Sequence, residues 1–216
     1  MPALRLPAVA LAAASLAILS APMAAAPEKP YRIVAGARVK GTKDAAPAAT
    51  TLARTTIKGL TVSVEYADGG KRAAFLKTID PGLADPFASP PGQPERYLAF
   101  VVGFQNDAAS EVQFQPGNVA LISDHKENVF PVDVTDLYMG AERAGRDDLQ
   151  AVIDRATRTI FDSSTTIVAG GRLARLLVFR PLKERWKMFQ VHFSFLQIGS
   201  ETHTITFTFH KEEISG

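Results

Sequence analysis

The chain has 216 residues, of which 46% are hydrophobic and 21% are charged. These values are typical of a folded globular chain and exclude both a disordered polypeptide and one with many membrane-spanning segments. Lys and Arg total 24 against 22 Asp and Glu, so no overall field recruits nucleic acid or anionic lipid. The sequence contains no cysteine, which excludes disulfides, thiol nucleophiles and cysteine-ligated metals.

The first 26 residues have the pattern of a removable export signal. Arg5 provides a basic start, Leu6 to Leu19 form an apolar stretch, and Ala24 to Ala26 supply the small residues of a cleavage region. The apolar stretch is shorter than the roughly 20 residues that a membrane-spanning helix needs. We therefore expect an exported protein, periplasmic or extracellular, with no transmembrane span after signal removal and with residues 27–216 as a single domain.

Period-two alternation of apolar residues predicts β-strands in most of the remaining chain. The clearest alternation predicts a strand at 60–66 and an antiparallel hairpin made of 189–195 and 203–209. In that hairpin we expect Phe195 to face His203 and Phe189 to face Phe209. A tight turn is expected at 68–70, and further strands at 32–39, 72–79, 111–115, 118–123, 128–134, 165–168 and 173–180.

Residues 97–104 are apolar at almost every position, which indicates a strand covered on both faces. Apolar residues at helical spacing predict one α-helix at about 146–161, inside an insertion at 135–164, and we expect it to lie on the outer face of the sheet that contains this strand. A proline-rich segment at 79–95 is predicted to be a loop or linker. The whole pattern predicts an all-β, immunoglobulin-like antiparallel β-sandwich with one inserted α-helix.

Short motifs between 97 and 180 carry a family resemblance. A strand ends at Gln105-Asn106, a second strand covers 118–124, and Gly170-Gly171 lead into the strand that contains 176–179. These motifs resemble a bacterial family of exported immunoglobulin-like domains without an assigned function, similar to a mycobacterial secreted antigen. The resemblance implies a fold and an exported location, and the family brings no catalytic residues to transfer.

The sequence contains none of the standard catalytic or nucleotide-binding motifs, so we expect a protein that is not an enzyme and has no cofactor. Two histidines, His192 and His210, project from the polar side of the predicted hairpin, and a one-step change of pairing would bring them near each other. They leave open an alternative function, in which the protein binds or delivers metal in the periplasm.

A basic run around the single tryptophan is the most distinctive local feature. A Trp flanked by cations is a common anchor for a protein, a glycan or an acidic surface, although a lone Trp is also often buried. We expect the partner to be another protein or an envelope component. The residues predicted to contact it are Arg172, Arg175, Arg180, Arg185, Trp186 and Lys187. The predicted function is therefore binding by an exported, non-enzymatic module.

Overall fold

The computed structural model describes residues 31–36, 50–90, 92–143, 147–183 and 185–214, and the predicted signal segment lies outside them. The strands are β1 (Tyr31–Ala35), β2 (Leu52–Ile57), β3 (Leu60–Tyr66), β4 (Leu98–Asn106), β5 (Val112–Phe114), β6 (Val119–Ser123), β7 (Asn128–Val129), β8 (Thr165–Ile167), β9 (Arg172–Phe179), β10 (Met188–Ile198) and β11 (Glu201–Glu213). The α-helices are α1 (Gly69–Ile79), α2 (Val134–Arg143) and α3 (Leu149–Thr159). Within this described part, no helix is long and apolar enough to cross a membrane.

The strands form two antiparallel sheets that face each other. The larger sheet has the order β1-β11-β10-β5-β8, with β6 paired to β10 and β7 paired to β6. The smaller sheet has the order β2-β3-β4-β9. Alternate residues of both sheets point inward and enclose the main hydrophobic core. The chain is therefore mainly β, with antiparallel sheets arranged as a sandwich, as the alternation predicts.

Phe100 of β4 lies at the centre of the aromatic core. Its ring is fully buried, and the rings of Tyr66, Phe179, Phe189 and Phe209 have centroids within 5.3–5.8 Å of it. Phe189 also lies opposite Phe209 in the β10–β11 pairing, which confirms that part of the predicted hairpin. Burial raises the pKa of the Tyr66 hydroxyl above its ordinary value, so this ring stays neutral inside the core.

The outer face of the smaller sheet carries a helical layer. Ala99 of β4 and Leu176 of β9 join a second hydrophobic cluster with Leu76 of α1, Leu137 of α2 and Ala156 of α3. Strand β4 is thus covered on both faces, as its continuous apolar sequence predicts. The predicted helix corresponds to α3 and does lie on this face, but the expectation of a single helix is wrong because α1 and α2 share the layer.

The strand predicted at 72–79, with its preceding turn, is wrong because this segment forms α1. The side chain of Asp68 caps the helix, since its Oδ1 accepts the Lys71 N–H at 2.9 Å. Arg72 and Leu76 are one helical turn apart and are both buried. The helix therefore depends on a cap and on two contacts with the rest of the protein, neither of which period-two alternation detects.

The other predicted strands are recovered with altered ends. The strand predicted at 128–134 shrinks to β7, because Oδ1 of Asp133 accepts the Asp136 N–H at 2.7 Å and starts α2. The strand predicted at 32–39 corresponds to β1, and residues 37–39 lie outside the described part of the chain. Strand β2 was not among the predicted elements. It pairs with β3 at the edge of the smaller sheet.

The described residues of the proline-rich segment contain no helix or strand after α1 ends at Ile79, as predicted. Hydrogen bonds from the buried side chain of Arg72 connect this segment to α1. Arg72 donates hydrogen bonds to Oδ2 of Asp85 at 2.7 Å, to Oε2 of Glu95 at 3.3 Å and to the carbonyl of Phe87 at 3.3 Å. The segment is therefore held against the helical layer along much of its length.

Asn106 closes β4 with a set of buried hydrogen bonds. Its Nδ2 donates to the carbonyls of Ser110, Ile167 and Val168 at 2.9–3.1 Å, and its Oδ1 accepts the Ala108 N–H at 3.1 Å. The residue is completely buried. One amide side chain thus joins the end of the smaller sheet to β8 of the larger one.

We predict that Asn106→Ala lowers the free energy of unfolding by about 2 kcal/mol, because buried carbonyls and an N–H lose their partner. Urea denaturation of the purified protein measures this change. Asn128→Ala, at an exposed position in β7, is the matched control and should stay within about 0.5 kcal/mol of the unmodified protein. Equal effects of the two substitutions would contradict the assigned role of Asn106.

Candidate functional site

The structure places Trp186 in the core at one end of the sandwich. Its side chain is 8% exposed, and its ring centroid lies 5.0 Å from that of Phe189 and 6.0 Å from that of Tyr31. The Lys211 ammonium lies 5.0 Å from the Trp186 ring centroid and 3.8 Å from that of Tyr31. The tryptophan therefore packs inside the protein, and its ring is not presented as an exposed anchor.

The basic residues of the same run do not form one surface. Arg172 and Arg175 of β9 are three residues apart and so point to opposite faces of the smaller sheet, Arg175 beside Val102 on the core side. Arg180 lies about 26 Å from Arg172 along an extended strand, and its guanidinium pairs with Asp136 at 2.6 Å. Arg185 and Lys187 are exposed on either side of Trp186.

The two hairpin histidines are not brought together. His192 lies opposite Thr206, with 2.9 Å between Nδ1 and Oγ1, whereas His210 lies opposite Met188. Their positions are four residues apart along the pairing, about 13 Å in extended strands. In the described part of the chain, no cluster of three or more His, Asp or Glu side chains is placed to hold a metal ion.

The structure instead shows a cleft of about 250 Å³ on the outer face of the larger sheet. Its floor is a row of four side chains in register on adjacent strands: Thr166 of β8, Gln113 of β5, Gln197 of β10 and Thr202 of β11. We call these four residues the polar row. Residues in register across neighbouring strands point to the same face, and here that face is turned away from the core.

The cleft forms where the pairing along one side of β10 is interrupted. Phe193 of β10 pairs with Val119 of β6, and Gln197 pairs with Gln113 of β5. Between the two pairings, Pro116 begins a short 3₁₀ turn, and proline has no N–H to donate to a ladder. The backbone therefore leaves the sheet at this point and opens a depression beside β10.

Two polar side chains in and beside this turn form one wall. Gln115 donates from Nε2 to Oγ of Ser164 at 3.0 Å, and Asn118 donates from Nδ2 to Oε1 of Gln115 at 3.2 Å. All three residues line the cleft. The wall is thus already ordered by its own hydrogen bonds.

Phe195 lines the same cleft and is 69% exposed. The expectation that it faces His203 is wrong, because a β-bulge between Phe193 and Leu196 places Leu196 opposite His203. Leu196 takes the inward position and is 1% exposed, while Phe195 adopts φ +53°. For a residue other than glycine, this left-handed conformation costs about 1–2 kcal/mol.

The cleft combines one exposed aromatic ring with uncharged polar groups. Every polar side chain that lines it is an amide or a hydroxyl, and the lining includes no Asp, Glu, Lys, Arg or His. Amides and hydroxyls donate and accept hydrogen bonds without titrating near neutral pH. This arrangement is suited to recognition of an uncharged, hydrogen-bonding ligand.

None of these cleft residues was among the candidate site residues from the sequence. One signal was available in the hairpin, where Phe195 and Leu196 are consecutive apolar residues that interrupt an otherwise strict alternation. Such an interruption is typical of a β-bulge, which redirects one side chain to the other face. The remaining cleft residues come from β5, β8, β10, β11 and the segments next to β5 and β8, and they carry no local pattern.

We predict that Phe195→Gly leaves the free energy of unfolding unchanged or raises it by up to about 1 kcal/mol. Glycine adopts positive φ freely, and the relief of strain exceeds the added entropy of the unfolded chain. Urea denaturation measures the change, with Phe193→Gly, at a buried position in the same strand, as the strongly destabilised comparison. A loss of more than about 1 kcal/mol for Phe195→Gly would show that the exposed ring stabilises the fold.

Comparisons with known proteins add no identification. No family model matches the chain, and no curated protein matches it significantly. Among solved structures, the crystal structure of the yjhA protein from Bacillus subtilis aligns with 66% of this chain and 77% of that chain, at 11% sequence identity and a TM-score of 0.37. At that score, the likeness establishes neither a shared fold nor a shared function.

Proposed function

We propose that the protein is an exported, non-enzymatic binding module with an immunoglobulin-like fold, and that it binds its partner through the cleft beside Phe195. Export is supported by the signal pattern of residues 1–26. The immunoglobulin-like assignment is supported by the resemblance at 97–180 and agrees with the sandwich of antiparallel sheets.

The exposed and strained Phe195 is the observation that carries the proposal. A large apolar ring in water is unfavourable, and the positive φ adds a further cost at the same residue. Leu196 already fills the core position that a regular strand would have given to Phe195. Because nothing in the core requires an aromatic ring at 195 and the backbone there is strained, we attribute the presence of this ring to a contact outside the protein.

The surroundings of Phe195 favour binding over catalysis. The polar row lies on four hydrogen-bonded strands, so the backbone positions that carry its donors and acceptors are fixed before a ligand arrives. Its amides and hydroxyls do not titrate near neutral pH, which suits them to hydrogen-bonded recognition and not to acid–base catalysis. The basic residues around Trp186 are spread over both faces of β9 and beyond its end, and they do not contribute to this cleft.

The test is retention of envelope material by the immobilised full mature protein. An envelope extract of the producing cell is passed over three proteins: the unmodified chain, Phe195→Gly, and Phe130→Ala. Phe130 is the matched control because it is also an exposed phenylalanine, at 59%, and does not line the cleft. We expect the unmodified chain and Phe130→Ala to retain the same component and Phe195→Gly to lose it. Equal retention by all three proteins, or by none, would overturn the proposal.

A further inference from the structure

We infer that the Phe195 cleft binds a neutral carbohydrate chain. This inference rests on the proposed binding function and names the chemical class of its ligand. It starts from the absence of charge in the cleft lining, where Gln, Asn, Ser and Thr supply all the polar side chains. Charged ligands are recognised by opposite charges, usually through Arg, Lys or carboxylates. A lining of this composition therefore selects an uncharged partner rich in hydrogen-bonding groups.

The exposed ring of Phe195 provides a second type of contact with a sugar. A sugar ring presents hydroxyls around its rim and C–H groups on its faces. The hydroxyls match the amides and hydroxyls of the polar row, each of which both donates and accepts or can rotate to do so. The C–H face matches the electron-rich face of an aromatic side chain such as Phe195. One cleft thus offers both of the contacts that a sugar ring requires.

The length of the polar row and the volume of the cleft favour a chain of sugars over a single free sugar. Three strand spacings separate Thr166 from Thr202, so the polar row is about 14 Å long. The cleft volume of about 250 Å³ is below the roughly 300–1,000 Å³ of pockets that enclose a whole small-molecule ligand. The cleft therefore holds part of a ligand along the polar row, and the rest of a longer chain extends into solvent.

A peptide is the competing ligand with similar hydrogen-bonding groups. Extended peptides usually bind by adding a strand to an exposed sheet edge, where backbone groups are unpaired. The polar row lies on the face of the sheet, and at Gln197 strand β10 is already paired on both sides, with Gln113 of β5 and Thr202 of β11. The location of the cleft therefore favours a ligand that is recognised through hydroxyls over one recognised through a peptide backbone.

The first experiment measures binding of defined oligosaccharides to the full mature protein by calorimetry. The probes are neutral 1,4-linked glucan, mannan and galactan oligomers of two to six units, whose vicinal diols periodate cleaves, with polygalacturonate oligomers as the acidic comparison. We expect at least one neutral series to bind more tightly as it lengthens, and the acidic series to bind at least tenfold more weakly. Phe195→Gly and Gln113→Ala should each weaken binding by about tenfold, whereas Phe130→Ala and Gln150→Ala, outside the cleft, should not change it. Preference for the acidic series would overturn the inference.

The second experiment separates this inference from the proposed function. The envelope extract is treated with periodate, which destroys sugars with vicinal diols, or with a protease, before it is passed over the immobilised protein. We expect periodate to abolish the Phe195-dependent retention and protease to leave it intact. If the retention depends on Phe195 but is lost only after protease treatment, the inference of a carbohydrate ligand is wrong. The proposal of a binding module would still hold. Loss of all Phe195 dependence would overturn both.

Discussion

Arg72→Met is expected to lower the free energy of unfolding by about 3 kcal/mol or more, because it removes one partner from a buried ion pair. Arg72 is 1% exposed, and its guanidinium lies 2.7 Å from Asp85, whose side chain is 10% exposed. Without the arginine, the Asp85 carboxylate stays in a poorly solvated position and loses its ion-pair partner. For a chain of this length, the melting temperature Tm should fall by roughly 6–12 °C, which calorimetry measures.

The matched control for Arg72→Met is Arg32→Met. Arg32 pairs with Glu212 at 3.1 Å, but its side chain is 59% exposed. Exposed pairs of this kind contribute under about 1 kcal/mol, so the control should shift Tm only slightly. Similar shifts for the two substitutions would show that burial does not distinguish the two pairs.

Arg72→Met should also loosen the neighbouring segment at temperatures below those at which the whole protein unfolds. Because Arg72 holds the segment that contains Asp85, Phe87 and Glu95, amide hydrogen exchange in 80–97 should become faster at temperatures where the sandwich remains folded. The double variant Arg72→Met with Asp85→Asn should lose less stability than the sum of the two single variants, since the second change removes the unpaired charge. Additive losses would contradict a direct Arg72–Asp85 interaction.

Trp186→Ala is expected to lower the free energy of unfolding by about 3–5 kcal/mol, the range for deletion of a large buried aromatic side chain. The substitution would leave a cavity against Phe189 and Tyr31 and would remove one of the two rings that face the Lys211 ammonium. Thermal unfolding measures the change. Trp186→Phe should retain part of the packing and give a smaller loss.

Arg185→Ala, at the exposed position next to Trp186, is the matched control and should stay within about 0.5 kcal/mol. The pair also tests whether the basic run binds the partner. If Trp186→Ala left Tm unchanged but abolished retention of the envelope component, the tryptophan would act as an anchor for the partner and the cleft beside Phe195 would lose its assigned role.

Much of the sandwich could be predicted because its signals are local. Alternation places every second residue of a strand on the same face, so strand β3 and the Phe189–Phe209 pair follow from residue spacing alone. The continuous apolar run in β4 likewise indicates cover on both faces, which the larger sheet and the helical layer provide. The helix α1 was not predictable in this way, because a capping Asp68 and a buried Arg72 decided its conformation.

The candidate site was not predictable because it depends on long-range contacts. The polar row joins Gln113 to Thr166 and to Gln197, residues that are far apart in the chain and become neighbours only through strand order. The sequence also left Trp186 open as either an exposed anchor or a buried residue, and only the packing at the end of the sandwich decided that it is buried. Composition around a residue therefore did not indicate its exposure.

The sequence by itself determined the alternation in β3, β10 and β11 and the aromatic face that it produces, because alternation depends only on the spacing of neighbouring residues. Only the tertiary structure decided which apolar residue of the β10 bulge enters the core. Leu196 and Phe195 are adjacent, and either would satisfy a local hydrophobic pattern. The pairing of β10 with β5, β6 and β11 selects Leu196 for the core and leaves Phe195 in solvent, beside the cleft that the break at Pro116 opens.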